Sequence, residues 1–261
     1  MLRIGGVRRV KGGTSGVGPT TSGRGLTGAS WIEDSPVRWR VTLIIVILIG
    51  GCGTTTEGVD TPGGAIVTER IDLPPPVAAG GGSLADALSR RRSVREYEPM
   101  PLDLADISQL LWAAQGITSS AGQRTAPSAG GLCPLEIYVV TGRGRYHYDP
   151  YRHQLEVLGE EDVRRELSRA ALSQQAVEEA AAVFVLAAVY SRIEQKYGDR
   201  AERYVKLEAG HAAQNLLLQA VSLGLGAVPI GAFYDDQVQR VLGLPSDHEP
   251  LYLIPVGHPA K

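Results

Sequence analysis

The spacing of apolar residues changes along this chain, and the changes divide it. Residues 1–36 are rich in Gly, Ser and Thr and show no apolar period, a composition that cannot bury a core. An apolar run of about nine residues, 41–49, follows; it is too short to cross a bilayer core of ~30 Å as a helix. Residues 53–82 hold Thr54-Thr55-Thr56, Pro74-Pro75-Pro76 and Gly80-Gly81-Gly82, the composition of a tether. Within it, residues 65–73 are patterned to pair as an edge strand or arm.

Periodic sequence starts at Ser83. Asp86, three residues on, predicts a helix cap, and Leu84, Ala87 and Leu88 carry that helix into a run of arginines. Pro99 and Pro101 break the chain. Asp103 with Asp106 opens a second helix with Ile107, Leu110, Leu111 and Ala114 on one face, closed by Gly116. A long loop, 117–131, precedes an alternating strand over 135–140 and a hairpin, 146–148 with 154–158, around Asp149-Pro150. Helices are predicted over 160–171 and 173–180, and a buried strand over the nearly continuous apolar run 181–190. A short helix spans 191–197. Residues 201–223 form the longest periodic segment, apolar nearly all round, and so a central buried helix or an oligomer-interface helix. A strand over 227–233, a helix over 235–242 and a last strand over 251–256 complete the series. Gly224 and Gly226 follow a helix and enter a strand, the reverse of the order a dinucleotide fingerprint needs.

Composition narrows the function. The chain has 261 residues, 43% hydrophobic and 21% charged, with a formal net charge of −2. That supports one domain of about 180 residues plus an extension, and no general nucleic-acid surface. Cys52 and Cys133 make no disulfide framework. Cys52 has its own context. Val37-Arg38-Trp39-Arg40 precedes the apolar run and Ile49-Gly50-Gly51-Cys52 ends it, the anatomy of a secretory signal. The ending resembles a bacterial lipobox, in which the cysteine is lipidated; the alternative is a buried strand ending in a free cysteine. The expected organisation is a non-native or disordered extension over 1–36, a lipoprotein-type signal over 37–52, a linker over 53–82 and a folded domain over 83–261. The expected location is the cell envelope, lipid-anchored on the outer side of the cytoplasmic membrane or periplasmic; on the alternative reading it is the cytoplasm.

The chemistry gathers at a few places. Arg90-Arg91-Arg92-Ser93-Val94-Arg95-Glu96-Tyr97 packs four arginines and a serine into six positions. Guanidinium forks and a hydroxyl make an anion cradle; a solvated basic face fits the stretch alone equally well. In the long loop, Pro127-Ser128-Ala129-Gly130-Gly131 offers small residues that let a flat ligand approach, with Ser128 as a donor; an ordinary surface loop is the alternative. Cys133 has no local base or metal partner. His211, Gln214 and Asn215 read as satisfied core or interface groups of the long helix.

In order along the chain, Arg91-Arg92-Ser93-Val94-Arg95-Glu96-Tyr97, the Pro127–Gly131 loop, Gly210-His211-Ala212-Ala213-Gln214-Asn215, Pro229-Ile230-Gly231-Ala232-Phe233 and Pro255-Val256-Gly257-His258-Pro259 resemble the nitroreductase family of FMN flavoenzymes. They look most like its azoline-oxidase branch, the dehydrogenases of thiazole- and oxazole-forming peptide biosynthesis. The resemblance implies an α+β fold with a central, mostly antiparallel sheet flanked by helices, and a homodimer with FMN at its interface. It implies that Arg91, Arg92, Ser93 and Arg95 hold the FMN phosphate and ribityl chain. Pro127, Ser128, Ala129 and Gly130 would lie along the ring system. Pro229, Ile230, Gly231 and Ala232 would face the reactive N5 edge, and Gly257 and His258 would make a C-terminal phosphate contact, with Lys261 the last basic residue to back it. Many family members carry an acidic residue where Gly231 stands, which leaves backbone amides to serve N5 here. Lys196 and Tyr197 correspond to a catalytic pair that assists proton removal from the azoline ring; an exposed helix end is the alternative. The expected activity is hydride transfer through flavin N5 from a small-molecule or peptide substrate. NAD(P)H-dependent nitro or quinone reduction and a non-catalytic flavin-binding envelope lipoprotein are the alternatives. No metal is implied.

A signal normally begins at the N-terminus, so the natural start is expected at Val37, read from a GTG codon. N-terminal sequencing or ribosome mapping is expected to place it there; a peptide from residues 1–36 in cell extracts would contradict this.

Overall fold

The computed structural model describes residues 69–260. The expected extension, the signal with Cys52, the first part of the tether and Lys261 lie outside the described residues. Within them, no helix is long and apolar enough to cross a membrane.

The order is β1 (Arg70–Asp72), α1 (Leu84–Arg90), α2 (Leu104–Gln115), a 3-10 turn at Ala129–Gly131, then β2 (Leu135–Thr141), β3 (Gly144–Asp149) and β4 (Gln154–Gly159). Next come α3 (Arg164–Ala170), α4 (Gln175–Glu179), β5 (Ala182–Ala188), α5 (Ser191–Tyr197), α6 (Ala201–Ser222), β6 (Gly226–Ala227), α7 (Asp235–Leu242) and β7 (Glu249–Gly257). The strands form one seven-stranded sheet in the order β1-β4-β3-β2-β5-β7-β6, with antiparallel neighbours throughout. This is the expected α+β class.

β5 explains why the sheet has helices on both faces. All seven of its residues are buried, and successive side chains of a strand point to opposite faces. Ala182, Phe184, Leu186 and Ala188 pack with Ile107, Leu110 and Leu111 of α2 and Val205, Ala212 and Leu216 of α6. Val183, Val185 and Ala187 pack with Leu167 of α3, Val177 of α4 and Val238 of α7. A strand covered on both sides reads as a continuous apolar run.

The caps sit where the sequence places them. Ser83 Oγ accepts the Asp86 N–H at 3.0 Å and Asp103 Oδ1 accepts the Asp106 N–H at 2.7 Å, each satisfying one orphan donor of a first helical turn. Several elements are shorter than their patterns, two of them for a local reason. α3 begins at Arg164, because Asp162 accepts the Arg164 backbone N–H at 3.2 Å and grips its guanidinium at 2.9 and 2.6 Å, a local alternative to helix. β6 stops at Ala227, and pairing resumes only at Ile230 opposite Leu253, because Pro229 has no N–H for the ladder. α6 is amphipathic: Val205, Ala209, Ala212, Leu216 and Ala220 are buried, while Leu207, Gly210, His211 and Gln214 form an exposed stripe.

The fold also takes in residues ahead of Ser83. β1 pairs with β4, and Leu73 is buried in the core. Val77 N–H donates to Gln109 Oε1 at 2.8 Å, and the Leu73 N–H to the His153 carbonyl at 3.2 Å. The His153 ring closes this arm. Its Nε2 lies 2.7 Å from Ser108 Oγ and 3.1 Å from the Pro74 carbonyl, and its Nδ1 lies 2.9 Å from the Tyr148 hydroxyl. Ser108 also donates to Pro74 O at 2.6 Å.

Burial holds the His153 pKa below the ordinary histidine value, with the Pro74 bond pulling the other way. A base with a lowered folded pKa contributes stability above its unfolded value of about 6.5 and loses it as pH falls through that value towards the folded one. Hydrogen exchange at Leu73 and Val77 is therefore expected to accelerate between about pH 7 and about pH 5, and His153→Asn to remove that dependence. A pH-independent arm would contradict this.

Candidate active site

The arginine run leaves α1 by unwinding. Arg91 caps the helix with φ −53° and ψ 121°, and the chain continues extended. Ser93 bridges Ala227 in parallel, with the Val94 N–H donating to the Ala227 carbonyl at 3.1 Å. Further on, Tyr97 bridges Pro259, Glu98 N–H donates to His258 O at 2.8 Å and Ala260 N–H to Glu96 O at 3.0 Å. Residues 93–98 thus form a latch between β6 and the tail that follows β7.

Two glycines make the notches for that latch. A Cβ on Gly226 would lie 2.6 Å from Val94 Cγ1, and one on Gly257 would lie 2.8 Å from the Tyr97 ring. The Tyr97 hydroxyl donates to Val94 O at 2.7 Å and approaches Pro255 O at 3.2 Å. With Val94 and Tyr97 turned inward, Arg92, Ser93 and Arg95 are left exposed and Arg91 half-buried. Arg90 pairs with Asp86 at 3.4 Å and donates to Val221 O at 3.2 Å. Arg92 donates to the carbonyls of Ser89 and Arg91 at 3.0 and 2.7 Å. Among the described residues, no carboxylate pairs with Arg91, Arg92 or Arg95. That donor set fits an anion, and a phosphate in particular.

The Pro229–Ala232 segment continues from that junction along β7. Ile230 exchanges hydrogen bonds with Leu253 at 2.8 and 2.9 Å, Gln174 Nε2 donates to Ala232 O at 3.0 Å, and Gly231 is exposed. Gly257 and His258 come beside the latch through their backbone, Gly257 as the seat of Tyr97 and His258 as an acceptor for Glu98.

The small-residue loop lies elsewhere. Thr125 is tied to α2 by its N–H to Gly116 O at 3.0 Å and its hydroxyl to Trp112 O at 3.1 Å, and Asn215 Nδ2 on α6 donates to Thr125 O at 3.3 Å. Ser128 Oγ accepts the Cys133 N–H at 2.9 Å. Gly130 has φ +65°, and a Cβ there would lie 2.7 Å from Lys196 Nζ and 2.8 Å from the Tyr197 hydroxyl. The loop is therefore brought against Lys196 and Tyr197. The Tyr197 ring meets Tyr204 edge-on with centroids 4.9 Å apart, and Lys196 Nζ sits 5.5 Å from the Tyr197 ring centre.

One chain thus assembles two half-sites. Arg91, Arg92, Ser93, Arg95, Gly257 and His258 gather near the C-terminal end of α6, where Arg90 reaches Val221, and Pro229, Ile230, Gly231 and Ala232 lead on from Ala227 along β7. Pro127, Ser128, Ala129, Gly130, Lys196 and Tyr197 converge near the N-terminal half of α6, where Ser128 neighbours Glu208. At about 1.5 Å rise per residue, Glu208 and Val221 are about 20 Å apart along the axis. No hydrogen bond joins the Pro127 loop to the Pro229 segment among the described residues.

A family model described as Nitroreductase family matches residues 88–258. The chain belongs to the nitroreductase family. A protein of Methanocaldococcus jannaschii assigned to the nitroreductases is 48% identical over 180 residues, covering 67% of this chain and 90% of that one. A solved nitroreductase-type structure from Ralstonia eutropha matches with a TM-score of 0.67 at 33% identity, over 74% of this chain and 90% of that one. The NADPH:FMN oxidoreductase of Vibrio harveyi, solved with NAD+, matches with a TM-score of 0.52 at 26% identity, over 68% of this chain and 69% of that one. This nitroreductase-family chain is accordingly an oxidoreductase.

Its site contains residues that sequence reasoning passed over. Glu208 is 2% exposed and lies under the Ser128 loop, with Gln115 Nε2 donating to its Oε1 at 3.3 Å and Arg124 Nη1 donating to Gln115 Oε1 at 3.3 Å. The signal was there: Glu208 falls three residues after Val205 and four before Ala212, on the apolar face of α6.

Tyr97→Phe removes the hydroxyl that ties the latch to Val94 and Pro255. It is expected to cost about 1–2 kcal/mol, a fall in Tm of roughly 2–4 °C per kcal/mol for a chain of this size. An unchanged Tm would contradict the latch.

Proposed function

We propose that this protein is an FMN-dependent dehydrogenase that takes hydride from a small-molecule or peptide substrate, with azoline-type rings as the substrate class. The observation that carries the reading is the set of guanidinium groups at Arg91, Arg92 and Arg95, which have no carboxylate partner among the described residues and are gathered at one surface by the latch. Bound FMN would supply reversible hydride chemistry at its N5 atom. The chain's own residues do the rest. Arg91, Arg92, Arg95 and Ser93 hold the phosphate, and Gly231, exposed and without a side chain, leaves its backbone open to the ring edge. Ser128, Ala129 and Gly130 form a low wall that admits a flat ring. Lys196 Nζ and the Tyr197 hydroxyl, held across Gly130, are the atoms that move the substrate proton.

A complete site requires the two half-sites to meet, and α6 keeps them about 20 Å apart within one chain. We infer that a second copy brings its Pro127 loop to the arginine cluster of the first. The exposed α6 stripe of Leu207, Gly210, His211 and Gln214 is the contact, where a glycine lets two helices approach closely. NAD(P)H-dependent reduction is the second reading, favoured by the NAD+ in the Vibrio harveyi structure.

The purified chain is expected to be yellow, dimeric and to release FMN on heating. Arg91→Ala with Arg95→Ala is expected to weaken FMN binding by at least about tenfold. Colourless protein indifferent to added FMN would overturn the reading. Lys196→Met is expected to slow azoline oxidation by about a hundredfold or more with FMN affinity unchanged; rapid NAD(P)H oxidation untouched by Lys196→Met would favour the second reading instead.

A further inference from the structure

We propose that Glu208 is a positioning residue, a buried carboxyl that fixes the Ser128–Gly130 wall and makes the hold on the flavin depend on its proton. The functional half of this rests on the flavin reading above. Glu208 is the single carboxylate among the buried residues of α6, set between Val205 and Ala212 on the face that packs against α2 and the loop. Gln115, 1% exposed, donates to its Oε1, and Gln115 in turn receives Arg124 from the loop. The Ser128 hydroxyl is near enough to favour the carboxylate, yet Oε2 is buried without a well-formed hydrogen bond. Arg124 Nε is buried and unpartnered as well. Buried polar atoms left unsatisfied in a packed interior are rare and call for a reason.

The reason here is the wall above them. Ser128 Oγ already accepts the Cys133 N–H, so its one proton is free to point down to Glu208 Oε2. That bond would lock Ser128 in a single rotamer and, through it, Ala129 and Gly130. With Glu208 protonated, Oε2 becomes a donor and the lock changes form. The groups facing Glu208 are Gln115 from α2, and Arg124 and Ser128 from the loop; Arg124 is the charged one and favours the ionised form. Lys196 and Tyr197 of α5 lie across Gly130, and Tyr204 lies on α6 itself. Burial outweighs the favourable contacts and raises the Glu208 pKa above the ordinary carboxylate range. The folded state therefore binds this proton more tightly than the unfolded chain does. Stability attached to Glu208 is full at low pH and falls as pH rises through the raised pKa.

The test compares wild type, Glu208→Gln and Glu208→Ala. FMN affinity is read by fluorescence quenching, and hydrogen exchange over residues 126–132 together with Tm is read on the flavin-free protein, at about pH 5 and about pH 8. Glu208→Ala is expected to weaken FMN by about tenfold or more and to speed exchange in that loop. Glu208→Gln is expected to hold exchange near wild type while flattening the pH dependence of both affinity and Tm. Unchanged loop exchange in Glu208→Ala, or a wild-type pH profile in Glu208→Gln, would overturn the proposal. Should Glu208→Ala fail to fold, the Glu208→Gln profile decides. Should wild type not bind FMN, the flavin reading falls, and exchange and Tm on the flavin-free protein still decide the place of Glu208.

Discussion

The arrangement of the candidate site depends on the seating of one side chain, Tyr97. Tyr97 fills the notch at Gly257, donates its hydroxyl proton to Val94 O and lies 3.2 Å from Pro255 O. That anchors the extended stretch after α1 between β6 and the tail of β7. With Val94 turned into the notch at Gly226, its neighbours Ser93 and Arg95 are left on the outer side. Concentrating several like charges at one surface is unfavourable without a counter-anion. The fold holds them there through backbone bonding and aromatic packing, leaving their charge for a ligand.

α6 is the second constraint. Its apolar face holds the helix against the sheet, so its length sets the distance between the guanidinium cluster and the small-residue wall. On the proposed reading, that spacing makes the site depend on a second copy, and the exposed α6 stripe with Leu207 and Gly210 is the face it would meet. The buried carboxyl of Glu208 lies where the Ser128 loop meets this helix.

Much of this was legible in the sequence. Ser83, Asp103 and Gly116 announced helix ends because caps depend on one residue type at one position. The apolar run of β5 announced a doubly covered strand. The candidate residues at both ends of α6 carry short motifs that stand out of the sequence. Their separation does not, because it depends on where α6 carries them. Glu208 was passed over because the abundance of alanine and leucine in α6 made its polar members look incidental. The edge strand expected within 65–73 is present as β1, ahead of the expected domain start at Ser83, because three paired residues and a buried leucine suffice to dock part of a proline-rich tether. β6 was read too long because Pro229 breaks the ladder without changing the apolar character around it.

The central claim is that the guanidinium groups beside Tyr97 grip a phosphate. Titrating flavin-free protein with FMN and with riboflavin, which lacks the phosphate, tests it most directly. The account predicts that FMN binds at least about tenfold more tightly at low salt and that the gap narrows as salt rises. Equal affinity for the two flavins, or binding of neither, would contradict it.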